Sequence, residues 1–86
     1  MTLAVNARFL TQKTTGVQRF AAEVTRALAA RGAALRLLAP QGAPSRFDAL
    51  PVEQVGRRTG QAWEQLDLPR AAGGDMLLNL GNTAPL

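Results

Sequence analysis

Thr14-Thr15-Gly16-Val17-Gln18-Arg19-Phe20 follows the short apolar run Leu3 to Val5 and opens the clearest helical pattern in the chain. Hydrophobic residues recur at Val17, Phe20, Ala21, Val24, Ala27 and Leu28, the i, i+3, i+4, i+7 spacing of a helix with one buried face. Gln18, Arg19, Glu23 and Arg26 fall on the other face. Thr14 or Thr15 can cap this helix by accepting a bond from one of its first free amides, and Gly32 after Arg31 is a stop signal. A buried strand, a small-residue turn and an amphipathic helix in that order open a βαβ unit, with the helix as the crossover to a parallel neighbour.

The same turn is where chemistry is to be sought. The first amides of a helix lack partners inside it, and the macrodipole favours negative charge there. With Gly16 letting a ligand approach the backbone, the helix start is a candidate phosphate or diphosphate site. An ordinary Thr cap with no ligand has the same local sequence. Neither G-x-G-x-x-G nor G-x-x-x-x-G-K-[ST] occurs, so the dinucleotide and P-loop fingerprints give no support.

Outward from this stretch, 86 residues hold one small domain. A hydrophobic fraction of 47% against 19% charged is globular, and with one Trp, three Phe and no Tyr the core must rest on Leu, Val and Ala. The net charge of +4 is modest and its ten basic residues are scattered, with Arg57-Arg58 the single doublet, which argues against nucleic acid as a partner. It leaves room for peripheral contact with an anionic membrane surface. Without Cys there is no disulfide or thiolate chemistry, and without His the commonest metal ligand and neutral-pH base are missing. A metal site or a complete hydrolase site is not expected. No apolar run reaches the 18 or so residues needed to span a bilayer, so the expectation is a cytoplasmic chain, at most peripheral at the inner membrane face.

Further along, Ala34 to Ala39 is a second strand, interrupted by Arg36 and ended by Pro40. Arg46 to Leu50 reads as a helical turn, Val52 to Val55 as a weak strand at a sheet edge, and Gly56 to Gly60 as a mobile basic loop. Gln61 to Ala72 is a second helix with Trp63 and Leu66 on one buried stripe, kinked or broken at Pro69. Met76 to Leu80 is the last strand. The expected architecture is α/β, an incomplete Rossmann-like half with about four parallel strands in the order 3-2-1-4 and two main helices, one on each face. One helix per face leaves apolar surface uncovered, which points to association, including with a second copy.

Four fragments, Asn6-Ala7-Arg8-Phe9-Leu10, Thr15 to Phe20, Trp63-Glu64-Gln65-Leu66-Asp67-Leu68-Pro69-Arg70 and Asn79 to Leu86, together resemble the N-terminal end of family 4 glycosyltransferases of the GT-B fold. The resemblance implies that residues 1–86 form the beginning of an acceptor-side Rossmann-like domain. It implies a parent enzyme that moves a sugar from a nucleotide-sugar donor to a polysaccharide or lipid-linked acceptor. Carried over by residue, Thr15, Gly16 and Val17 lie beside the donor diphosphate, and Arg19, Asn79, Asn82 and Thr83 contact the acceptor. For Arg19 an exposed pairing with Glu23 is the competing reading, and for Asn82 a simple turn. A GT-B enzyme needs two domains of roughly 150 residues each. No catalytic residue and no cofactor is therefore assigned within these 86 residues, and turnover is expected of the parent alone. The alternatives are a free-standing α/β anion- or nucleotide-binding module and an oligomerising assembly fragment.

Overall fold

A computed structural model describes residues 2–11 and 16–79. The elements in order are β1 (Thr2–Asn6), a 3₁₀ turn (Arg8–Thr11), α1 (Gly16–Ala30), β2 (Ala34–Ala39), β3 (Arg46–Phe47), β4 (Leu50–Gln54), α2 (Gly60–Ala62), a π-helical turn (Trp63–Asp67), α3 (Leu68–Ala72) and β5 (Met76–Leu78). They form an α/β fold around one five-stranded mixed sheet ordered β3-β4-β2-β1-β5. β1 pairs in parallel with β2 on one side and β5 on the other, and β2 pairs in parallel with β4.

This differs from the expected all-parallel sheet by a fifth, antiparallel strand at the edge, which makes the full order β3-β4-β2-β1-β5, while the four parallel strands β4-β2-β1-β5 keep the expected 3-2-1-4 succession. Arg46 to Leu50 is not a helical turn. Arg46 and Phe47 pair antiparallel with Pro51 and Leu50, and Asp48 takes a positive φ of 54° in the tight reversal between them, a conformation that Asp tolerates better than most residues. This two-residue strand occupies the sheet edge, which moves β4 inward. Pro51, whose missing N–H excludes a donor, is confined to this short peripheral ladder.

Alternation along the central strands divides the core into two faces. Val5, Leu37 and Ala39 point to one side and pack with Ala21 of α1, Phe9 and Phe47. Ala4 and Leu38 point to the other and pack with Trp63, Leu68 and Ala72. Small side chains at 4, 7, 21 and 72 let helix and sheet approach closely, while Trp63, wholly buried, supplies the bulk of the second core. α1 ends as Gly32 signals. Gly32 adopts φ +83°, and the Gly32 and Ala33 amides donate back to Ala29 and Leu28, the Schellman pattern.

The second helical stretch is not broken at Pro69. Instead the turn before it widens, with the Leu68 N–H donating to the Trp63 carbonyl, five residues back. The wide turn relieves the Pro69 ring of its clash with the preceding turn. It also changes which side chains face the sheet: Leu66 is exposed rather than sharing a stripe with Trp63, and Asp67 and Leu68 are buried in its place.

Nor is residues 56–60 a loose loop. The Val55 carbonyl accepts the Trp63 Nε1–H at 2.8 Å, and the buried Asp67 carboxylate accepts the Arg58 N–H at 2.9 Å and Arg58 Nη1–H at 2.6 Å. Backbone donation from Arg58 is the main reason that the Asp67 carboxyl is held below the usual carboxylate range, with the Arg58 guanidinium adding to it. Gly56 is required here, since its φ is +71° and a Cβ would overlap the Asp67 side chain.

Arg36, the charge inside β2, spans three strands. It pairs with Glu53 on β4 at 3.0 Å and with Asp75 ahead of β5 at 3.1 Å. Its hydrogen bond to Glu53 lowers that carboxyl's pKa. Among the described residues no helix is long and apolar enough to cross a membrane. Phe20, Leu66 and Met76 are large side chains left exposed.

Candidate functional site

β1, β2 and β4 progress toward one edge of the sheet, whereas β5 adds on the other side of β1. The crevice at the carboxyl ends of β1 and β5 is therefore where the strand order reverses, and open α/β sheets bind their ligands there. Asn6, the last residue of β1, and Asn79, just after β5, meet across this crevice: Asn6 Nδ2 donates to Asn79 Oδ1 at 2.9 Å.

A second Nδ2 hydrogen of Asn6 goes to Glu64 Oε2 at 3.0 Å, and its Oδ1 accepts the Arg8 N–H at 3.0 Å. Glu64 also pairs with Arg8, Oε1 to Nη1 at 3.2 Å. Local structure explains each placement. Asn6 sits where β1 hands over to the 3₁₀ turn, so its side chain can take the first free amide of that turn. Glu64 stands one residue beyond the sheet-facing Trp63 in the π-helical turn, which directs it toward the strand ends. Asn6 is 3% exposed, and a buried amide is favourable only when its groups are satisfied, as all three are here. The amide orientation follows from the partners, because the reverse would set its oxygen against a carboxylate.

Of the residues singled out from sequence, Asn79 belongs to this cluster. Gly16 is the first residue of α1 and Val17 the second, at the end of the crossover helix that lies on the carboxyl side of the sheet. Gly16 has no positive φ, and no described atom lies within 4 Å of where its Cβ would stand. Among the described residues nothing sterically calls for glycine at that point.

Arg19 is exposed and lines a separate cleft of about 300 Å³ with Phe9, Leu10, Gln18, Ala22, Arg26 and Phe47. Its expected partner Glu23 forms no ion pair with it among the described residues. In that cleft the Arg26 guanidinium lies 4.8 Å from the Phe47 ring centroid and is tied to Asp48 at 2.7 Å, and Phe9 meets Phe47 edge to face at 5.9 Å. Thr15, Asn82 and Thr83 lie outside the described residues.

Sequence reasoning missed Asn6, Arg8 and Glu64 as a unit, since Asn6 and Glu64 are 58 positions apart. The signal available was a polar amide closing an apolar strand, followed by a charge. No protein-family model, curated protein or solved structure matches the chain.

Proposed function

We infer that residues 1–86 are the acceptor-side, Rossmann-like beginning of a GT-B glycosyltransferase that transfers a sugar from a nucleotide-sugar donor to a polysaccharide or lipid-linked acceptor. One observation carries the reading. Three of the fragments on which the resemblance rests contribute Asn6 and Arg8, Glu64, and Asn79, and these converge in one hydrogen-bonded cluster at the carboxyl end of the sheet. The register that sets Val5 beside Leu78 already brings Asn6 next to Asn79; the support comes from Arg8 and Glu64 joining the same pair.

In this reading the donor diphosphate approaches the start of α1. The Gly16 and Val17 amides lend electrostatic support to the departing diphosphate as its charge grows, acting from a fixed orientation that needs no rearrangement. Glycine at position 16 keeps the approach open. The acceptor lies over the β1–β5 crevice, and the remaining groups of the reaction come from a second domain.

The test is donor-dependent sugar transfer by the intact polypeptide carrying this segment, assayed with a panel of nucleotide sugars and followed by product mass. Activity is expected in wild type, with a loss of about 100-fold in kcat for Gly16→Val, the size seen when one backbone-type donor to developing charge is displaced. Undiminished turnover in the variant refutes the diphosphate contact. A native polypeptide no heavier than 9.1 kDa refutes the two-domain enzyme and leaves the free-standing anion- or nucleotide-binding module.

A further inference from the structure

Asn6 is saturated, whereas Arg8, Glu64 and Asn79 keep groups without a partner among the described residues. Its two Nδ2 hydrogens and its Oδ1 are all engaged. A carboxylate offers about four lone-pair sites, and Glu64 receives one hydrogen bond from Asn6 and one ion-pair contact from Arg8. The Asn79 Nδ2 group, and the Nε and Nη2 groups of Arg8, have no partner among the described residues. The Arg8 and Glu64 side chains are 27% and 24% exposed, enough to be touched from solvent while their stems are held. The result is a fixed acceptor flanked by fixed donors, at the carboxyl ends of the paired strands β1 and β5.

The charges narrow what can occupy such a place. An anion such as phosphate would meet the Glu64 carboxylate, and a cation would meet the Arg8 guanidinium. A neutral group that both donates and accepts satisfies both, and a sugar hydroxyl is that group. Two adjacent ring hydroxyls match the set, each giving its hydrogen to a Glu64 oxygen while accepting from Asn79 Nδ2 or Arg8. Leaving the site's polar groups unmatched is costly, which makes such a constellation selective for hydroxylated rings over deoxy ones.

We propose that Arg8, Glu64 and Asn79 form a recognition subsite for a neutral sugar ring, bound through an adjacent pair of hydroxyls, with Asn6 as the positioning residue beneath them. Its role as an acceptor subsite rests on the transferase reading; the binding itself does not. The ligand class is a neutral hydroxylated pyranose of the acceptor, distinct from the anionic donor at the start of α1.

The experiment titrates the intact polypeptide with the methyl pyranosides of gluco, galacto and manno configuration, which between them present cis and trans hydroxyl pairs. Side-chain NMR signals of the Asn79 amide and Arg8 Nε–H are followed to about 100 mM, since a few hydroxyl bonds give affinities in the millimolar range. At least one pyranoside is expected to shift both signals, and inorganic phosphate neither. Glu64→Gln, which keeps an oxygen to accept from Asn6, should weaken that binding about tenfold or more, as expected for loss of a charged hydrogen-bond acceptor. With the analogue lacking the bound hydroxyls, the difference between wild type and variant should vanish.

Silence of both signals with all three pyranosides overturns the proposal, as does unchanged binding in Glu64→Gln or a phosphate response at the same signals. Because no donor is present, a failure here leaves donor-dependent transfer untouched. Absence of transfer with intact pyranoside binding counts against the transferase reading alone.

Discussion

Replacing Asn6 is the sharpest probe of the crevice. Asn6→Ala removes two donated bonds and one accepted bond and leaves the Arg8 N–H and part of the Glu64 carboxylate without their buried partner. At about 1 kcal/mol for a neutral hydrogen bond and about 1.5–3 for one to a charged group, the loss is about 3–5 kcal/mol. For 86 residues the total stability is expected at ~4–13 kcal/mol, so the loss removes about a quarter of it or more. With a urea m-value of ~1–2 kcal/mol/M the midpoint falls by about 1.5–5 M at constant m. Asn6→Asp is the critical comparison, because it is nearly isosteric but sets a second carboxylate against that of Glu64 and cannot donate at neutral pH. The expected order of stability is Asn, then Ala, then Asp. Equilibrium urea unfolding at pH 7 measures it, and an Asp variant more stable than the Ala variant would refute the assigned amide orientation and the network built on it.

Other substitutions probe the rest of the fold. Gly56→Ala should cost about 2–4 kcal/mol in thermal or urea unfolding, combining a positive φ with overlap in a packed site; a shift under 1 kcal/mol would count against the tight contact with Asp67. Asp67 and Glu53 both have lowered carboxyl pKa values, so the native state binds fewer protons than the unfolded chain as pH falls. The stability they supply is complete above their unfolded values of about 4 and disappears on acidification through the folded ones. Asp67→Asn should flatten the acid limb of a stability-against-pH curve. Trp63→Phe removes the donor to the Val55 carbonyl and some core volume, and should lower stability by about 1–3 kcal/mol. Since Trp63 is the single Trp and fully buried, wild-type fluorescence should be blue-shifted and move red on unfolding.

Periodicity and composition made the backbone of the fold readable where one rule dominates. α1 declares itself through its apolar stripe, β2 through its leucines, and Trp63 through the scarcity of other large side chains. Rules in competition hid the rest. Arg46-Phe47 is too short to show strand alternation, and the turn at Asp48 depends on a conformation that Asp tolerates but does not announce. Pro69 predicts a break by its chemistry, yet a wider turn ahead of it costs less than losing the burial of Leu68 and Ala72. Asn79 was legible as a residue at the carboxyl end of a strand, whereas Asn6, Arg8 and Glu64 become a unit only when the sheet brings distant segments together.

The π-helical turn has a consequence for the phase of the helix around it. Each residue advances an α-helix by about 100°, so the extra residue that the wide turn accommodates rotates everything from Leu68 onward relative to Trp63. The two halves of the stretch over residues 60–72 are thereby set independently: the first half aims Trp63 at the core and Glu64 at the crevice, and the second aims Leu68 and Ala72 at Leu38 and Ala4. A uniform α-helix would hold both aims to a single angle. The wide turn works as a slip joint, allowing the Glu64 end of the stretch to be oriented toward Asn6 and Arg8 while the far end stays in register with the sheet.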